Sequence, residues 1–409
     1  MSANLEQSDK AEIVSPRRWV VLGIAWLSFF SIAMAWYVMP TLEHKLLEIY
    51  QIDSSQYSTA FTIPFLIAGL LAIGGGMLAD RLGLRKTASL GIIISGLGIL
   101  GRFQANGFIS LLAPMMIVGV GLGLIMPNLP KLVSIWFPPE ETGLATGIYN
   151  TGLMGGIATG LVIAPYLPGW SSGNILFGIL IIVLGIVFFA IVRDTPPGKE
   201  LPPTSLVDGL KSAIQSKSIW AAAFAVFMAM AGMVSVQAAY PGGLNKMYGI
   251  PMSTGGGIAS MLTYPGILGS LTLPTWANKL DKRKLFLFIL PIAFAVIMTL
   301  TWFSGDNITV LWIGTALAGY LAGGALPLIM EVPVFLTRME DDPVEPQHVG
   351  GASGLLTSLM NIGGFIGLPF IVMPIITSFG YTKGFIVAVL IFAAQAIFAL
   401  NITFPSKVS

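Results

Sequence analysis

The chain is 409 residues long, 55% hydrophobic and only 10% charged, with a formal net charge of +2 and no cysteine. Soluble domains carry about 25% charged residues, so most of this surface is built to face lipid; the 48 glycines and 26 prolines suit membrane helices, whose neighbours re-satisfy freed backbone groups. Disulfide and thiol chemistry are excluded, and no basic stripe interleaved with aromatics points to a nucleic-acid partner.

Along the chain, a polar start is followed by an apolar run from Trp19. Lys10, Arg17 and Arg18 ahead of Ala33-Met-Ala35 mimic a signal peptide, but the run is long, contains Trp26 and Trp36, and opens a series. It reads as an uncleaved first helix. Crossing a hydrocarbon layer takes about 20 apolar residues. Runs of that kind fall at 19–39, 57–79, 87–104, 108–135, 144–166, 173–192, 218–240, 254–277, 285–303, 308–336, 351–376 and 383–403. The longest non-apolar stretch, 193–217, divides them six and six. This predicts a first bundle over 1–192, a linker with Pro-Pro pairs at 196–197 and 202–203 and a short surface helix over 206–216, and a second bundle over 218–409. Seventeen Lys and Arg fall on the side of the N-terminus and only Lys45, Arg102, Lys246 and Lys383 on the other, which predicts both termini in the cytoplasm.

The loop after segment 2 reads Gly76-Met-Leu-Ala-Asp80-Arg81-Leu-Gly83-Leu-Arg85-Lys86. A worn copy follows segment 8: Ala79-Asp-Arg-Leu-Gly-Leu-Arg-Lys86 against Ala277-Asn-Lys-Leu-Asp-Lys-Arg-Lys284. Gly119, Gly123 and Pro127 of segment 4 match Gly319, Gly323 and Pro327 of segment 10 at an offset of 200, and Gly143-Leu-Ala-Thr-Gly147 matches Gly350-Gly-Ala-Ser-Gly354. These repeats describe a duplicated six-helix unit.

The loop and its copy resemble the signature of the major facilitator superfamily between helices 2 and 3. The resemblance covers the whole chain and implies an all-α membrane protein of 12 transmembrane helices in two pseudo-symmetric six-helix bundles. It further implies alternating access around a substrate held at mid-depth. A finer resemblance, to the cyanate and nitroimidazole permease group, rests on Leu100-Gly-Arg102, Val118 through Pro127, Tyr149 through Gly156 and Asp281-Lys-Arg-Lys284. It implies a small, often anionic, solute. Nitrate porters of the superfamily carry paired arginines in helices 2 and 8, which the matching segments lack, and that argues against nitrate. The resemblance implies a cavity lined by segments 1, 2, 4, 5, 7, 8, 10 and 11.

Candidate substrate contacts are Arg102, whose repeat counterpart is Trp302, together with Trp36, Tyr37, Tyr149, Asn150, Gln237, Tyr240, Tyr264 and Asn361. Arg102 reads either as an anion-attracting charge or as a cation snorkelling to the outer headgroups. Candidate gating residues are Gly76, Asp80, Arg81, Gly83, Arg85, Lys131 and Glu331. Asp80 is expected at the N-terminus of segment 11 near Gly350, and Arg81 or Arg85 against Glu140 and Glu141, with Leu84 where the signature is usually basic. Lys131 and Glu331, related by the 200-residue offset, are expected to pair between the halves when the carrier opens outward.

His44 and His348 lack ligand partners at metal spacing, so no metal or cofactor is expected. Gly119-Val-Gly-Leu-Gly123 lacks the strand and acidic partner of a dinucleotide loop, and the hydrolase and P-loop signatures are missing. The expected protein is therefore not an enzyme but a monomeric secondary transporter in the cytoplasmic (inner) membrane, its partners a small anion and the lipid bilayer. A coupling proton through Glu331 or a loop acid such as Glu43 or Asp53, exchange and facilitated diffusion all stay open. A proton-driven exporter of apolar drugs is the alternative, ahead of a non-transporting receptor or scaffold.

Overall fold

The computed structural model describes residues 16–195, 213–337 and 349–402, and every regular element among them is helical. Most of the expected linker helix and of the linker, His348 and both tails lie outside the described residues, while the end of that helix, 213–215, is helical as expected. Among the described residues, eleven helices are long and apolar enough to cross a membrane: α1 (Arg17–Tyr50), α2 (Ser54–Leu82), α3 (Leu84–Gln104), α4 (Phe108–Trp136), α5 (Glu141–Tyr166), α6 (Trp170–Ile191), α7 (Lys217–Tyr248), α9 (Arg283–Phe303), α10 (Ile308–Leu336), α11 (Val349–Phe379) and α12 (Tyr381–Ala399). The twelfth crossing, α8, is broken into Met252–Ser260 and Tyr264–Lys279, each too short to span alone.

The breaks follow local chemistry. Proline lacks the N–H that continues a helix, and Pro265 lies in the first turn after the α8 break, as Pro127 lies at the bend of α4. In α11, Pro369 sits inside a π-helical stretch, Gly367–Val372. Starts are capped where the chain leaves the bilayer. Asp53 accepts from the Gln56 N–H at 2.8 Å while the Gln56 side chain accepts from the Asp53 N–H, a complete capping box for α2.

Odd-numbered helices begin on one face, called here the terminal face; the opposite face is the distal one. Within the first six helices α1 packs on α5, α2 on α4 and α3 on α6; within the last six, α7 packs on α11, α8 on α10 and α9 on α12. The pairing repeats because the small residues repeat. A Cβ on Gly75 would stand 2.1 Å from the Gly123 carbonyl oxygen across α2 and α4; one on Gly323 would stand 2.0 Å from the Gly266 oxygen across α8 and α10. Both crossings are backbone against backbone and admit no side chain.

The halves meet through α2 on α11 and α5 on α8. On the distal side they share one apolar core: Val38, Met39 and Leu161 belong to the same cluster as Ala239, Ile258 and Met373. On the terminal side the ends of α7 to α12 form a separate cluster around Val226, Leu328 and Leu356, and Met126 is the only described hydrophobic residue of the first six helices that packs on it. Hydrophobic contact therefore seals the distal side and leaves the halves parted on the terminal side.

Candidate functional site

The distal seal is built at backbone distance. A Cβ on Gly256 of α8 would lie 2.4 Å from the Leu161 carbonyl oxygen of α5 and 2.9 Å from Thr41 Oγ1 of α1. Below it, the break in α8 presents Thr263 and Tyr264. Thr263 accepts from Gln237 Nε2 at 3.0 Å, and the Tyr264 hydroxyl meets the Thr159 hydroxyl at 2.9 Å, a hydrogen bond between the halves. Phe65 packs against Gly364 and Asn361 against Gly69, closing the α2–α11 side.

The expected substrate contacts separate into three groups. Asn150 and Tyr264 are exposed, and Gln237 lies behind Tyr264 on Thr263. Trp36, Tyr37 and Tyr240 are buried packing residues. Trp36 donates to the Phe61 carbonyl at 2.9 Å and lies tilted against Phe65; Tyr37 meets Phe61 edge-on; Tyr240 bonds Thr315 and stacks on Phe385 inside the last six helices. Asn361 bonds the Thr357 carbonyl of its own helix, and Tyr149 is 8% exposed. In this state those five have no open face for a ligand.

Arg102 stands apart. It is 0% exposed, so the snorkelling reading is incorrect: the 3₁₀ turn at the end of α3 folds it inward. One Nη donates to the Ala35 carbonyl at 2.7 Å, and the guanidinium lies 5.0 Å from the centre of the Trp170 ring. Nε and the other Nη have no hydrogen-bond partner, and no carboxylate stands within ion-pair distance among the described residues. An ion buried in this way is costly, and the protein retains it.

The gating residues are arranged differently from expectation. Asp80 pairs with Lys131 of its own half, not with the start of α11. Glu331 accepts from Asn278 Nδ2 at 3.4 Å, again within its own half. The two contacts are equivalents, since Asn278 stands in the loop copy where Asp80 stands in the original. The Lys131–Glu331 pair is therefore absent here: each partner is held by the loop beside it. Glu141 is bound by Arg18 at 3.0 and 3.2 Å rather than by the loop, and the Glu140 side chain lies outside the described residues. Arg85 donates to the Phe189 carbonyl at 2.6 Å and its backbone N–H to Asp194 at 2.8 Å; Arg81 projects outward. Gly83 makes this possible, because φ is +91° and a Cβ would stand 2.7 Å from the Asp194 carboxylate. Gly76 is half-buried, and the close contact with α4 is made by its neighbour Gly75. Asp194 was missed from the sequence because it sits beyond the sixth apolar segment, where nothing marks it as a partner of the loop.

The sequence model of the Major Facilitator Superfamily matches residues 21–368. The chain belongs to the Major Facilitator Superfamily. It is similar to a nitrate/nitrite transporter of Picosynechococcus sp., at 28% identity over 242 residues, which is 50% of this chain and 43% of that relative. The match thus spans less than half of that protein's length. It is also similar to the cyanate transport protein of Escherichia coli, at 23% identity over 74% of this chain and 75% of that one. A solved structure of a bacterial homologue of the human lysosomal transporter Spinster, inward-facing and unoccupied, superposes with a TM-score of 0.74 at 18% identity, covering 94% of this chain and 97% of that one. The fold is that of the superfamily, and the chain is a multi-pass membrane transporter, not an enzyme.

Proposed function

We infer that the protein moves a small anion across the cytoplasmic membrane as a secondary transporter, with both termini in the cytoplasm. The terminal face is then the cytoplasmic one, and the arrangement described here, sealed distally and parted terminally, is an inward-facing state. The observation that carries the anion reading is Arg102, a fully buried guanidinium with two unpartnered nitrogens and no adjacent carboxylate. A carrier of cations or apolar drugs has no use for such a charge in its wall, whereas an anion gains charge-assisted hydrogen bonds there. Relatives named for nitrate, nitrite and cyanate support the same class. Among these anions cyanate is favoured over nitrate, since α2 carries only Arg81 in its last turn and α8 carries no arginine. Helices 1–6 and 7–12 act as the two moving units, joined by the 193–217 stretch, and the exposed Asn150 and Tyr264 with Gln237 line the path.

The test is uptake into proteoliposomes. Labelled cyanate, nitrite or nitrate should accumulate in protein-containing vesicles, competing with one another and unaffected by ethidium. Arg102→Gln should lose uptake more fully than Arg102→Lys, which keeps the charge. Ethidium flux with no anion flux would overturn the reading in favour of a drug exporter.

A further inference from the structure

On the distal side of the second half, three helix ends enclose a groove of about 480 Å³. The last stretch of α11, Met373–Phe379, turns at Gly380 into α12. α12 packs on that stretch and also on α9, which ends at Phe303. α12 therefore forms the floor, and α9 and α11 form the walls. Phe303 and Phe379, both exposed, flank the mouth at the helix ends, where Thr382 and Lys383 of α12 supply the polar groups. Ile386 and Val387 lie one turn deeper along α12, and Ile375 one turn deeper along α11, so the groove becomes wholly apolar toward the middle of the membrane. It opens on the lipid-facing side: Leu300 of α9, Phe370 of α11 and Leu390 of α12 are exposed apolar side chains of the same three helices.

The polar end of the groove is cationic. Lys383 is exposed, its ammonium 5.2 Å from the centre of the Phe379 ring, and no carboxylate lies within ion-pair distance of it among the described residues. Asp306, three residues past Phe303, is exposed and is not paired with it; Lys246 lies 6.0 Å from the Tyr381 ring, in electrostatic reach of Glu43. Only four Lys and Arg fall on the distal side in the whole chain, so Lys383 is not part of a general positive coat. The Thr382 hydroxyl accepts from Trp302 Nε1 at 3.2 Å and keeps its O–H to donate. A cation at headgroup level above a channel that turns apolar with depth matches one kind of amphiphile. We propose that the distal ends of α9, α11 and α12 form a binding site for one anionic phospholipid of the distal leaflet. Its phosphate meets Lys383 and Thr382, and an acyl chain lies along Ile375, Ile386 and Val387. A soluble anion gains nothing from the apolar floor, and a zwitterionic lipid brings its own ammonium and gains less from Lys383. Every lining residue belongs to the last six helices, so the lipid rides with that half and braces the end of α11, beyond its π-helical stretch, against α9.

A photoreactive group at the mouth reads the occupant directly. The full-length protein with p-benzoylphenylalanine in place of Phe379 is placed in vesicles of phosphatidylcholine with phosphatidylglycerol as the minor component. After irradiation, mass spectrometry identifies the attached lipid. Phosphatidylglycerol should be enriched over its share of the bilayer by about fivefold, as one cation near the surface supplies. The same probe in place of Leu390, on the exposed side of α12 away from the mouth, should report the bilayer ratio. Lys383→Gln should abolish the enrichment at position 379, and Lys383→Arg should keep it. Val387→Trp, which fills the floor, should lower all lipid adducts at 379 and leave those at 390 unchanged. Equal ratios at the two positions would mean an ordinary lipid coat and would overturn the site, as would enrichment that survives Lys383→Gln. Loss of the phosphatidylglycerol adduct on adding glycerol 3-phosphate at constant ionic strength would show a site for a free anion instead of a lipid, and overturns the proposal too. Lys383 is exposed, so its variants keep the fold and decide the matter even if Val387→Trp does not fold.

Discussion

Arg102 and Trp302 occupy the same place in the two halves, at the distal end of the third helix of each bundle, and both are 0% exposed. Trp302 is surrounded by rings: Phe385 at 4.2 Å, Tyr248 at 5.6 Å and Tyr240 at 6.2 Å, with its Nε1–H donated to Thr382. Arg102 has Trp170 over its guanidinium and Tyr50 on its carbonyl, but two of its nitrogens are unanswered. The place needs a large side chain in both halves. A tryptophan meets that need without burying an ion, so packing explains the bulk at Arg102 and leaves the charge to function. The terminal face shows the same kind of divergence. The first half holds Lys131 with Asp80, while the second holds Glu331 with Asn278 and Arg283 stacked on Phe335. Symmetry preserved the contacts and exchanged their chemistry.

The largest effect should come from exchanging these two roles. Trp302→Ala removes the centre of an aromatic cluster and should cost about 3–5 kcal/mol, read as a large drop in thermal unfolding temperature in detergent. Arg102→Met keeps length while removing the ion. Replacing a buried charge by an apolar side chain of similar volume is often neutral or stabilising, so its unfolding temperature should stay near that of the parent. Its anion uptake should fall by about 100-fold, the equivalent of about 2.7 kcal/mol. Arg102→Met as unstable as Trp302→Ala would make Arg102 a packing residue.

This contrast also marks what the sequence can and cannot disclose. Composition and length alone yield helices that must face lipid, and the 198- and 200-residue offsets yield the duplication. Both follow from local pattern. The break in α8 has a local sign in Tyr264-Pro265, yet apolar periodicity runs through it unbroken. The burial of Arg102 has no local sign, because it depends on Trp170, which begins another helix and closes over the guanidinium. Trp36 and Tyr240 look like cavity residues by depth, but their polar atoms are taken up by Phe61 and Thr315 in their own halves. The Lys131–Glu331 pair, expected only when the carrier opens outward, has no counterpart in the arrangement described here, where each residue is held within its own half. An offset gives the depth of a residue within its half, whereas pairing depends on what the neighbouring loop presents, here Asp80 and Asn278.

The exchanged polarity of the two terminal contacts gives a smaller effect. Asp80→Asn leaves Lys131 without its carboxylate. For a pair about 30% exposed on both sides the loss is about 1 kcal/mol or less, up to about fivefold in the balance between the open faces. Uptake should fall while thermal unfolding barely changes. Asn278→Asp alone sets a second carboxylate beside Glu331 and should be the worse change. Adding Glu331→Lys installs the pair of the first half in the second and should recover the loss. Failure of that recovery would mean that the two loops are not interchangeable, and that the resemblance between them is one of backbone only.

The smallest expected effect concerns the hydrogen bond that joins the halves, Thr159 to Tyr264. It lies where the distal seal meets the break in α8, so losing it should favour the distal-open state. A hydrogen bond of this kind contributes about 0.5–1.5 kcal/mol net, a shift of about two- to tenfold. The chain has no cysteine, so Thr41→Cys, 2% exposed beside Gly256, supplies a single reporter that a membrane-impermeant maleimide reaches only when the seal opens. On that background, Tyr264→Phe should raise the labelling rate, and Thr159→Val should raise it by the same factor. Because both remove one shared bond, the double variant should label no faster than either single one. Additive acceleration would show that the two side chains act through separate contacts. Unchanged labelling in both would show that apolar packing alone holds the distal side shut, and that the bond between the halves serves only to orient Tyr264.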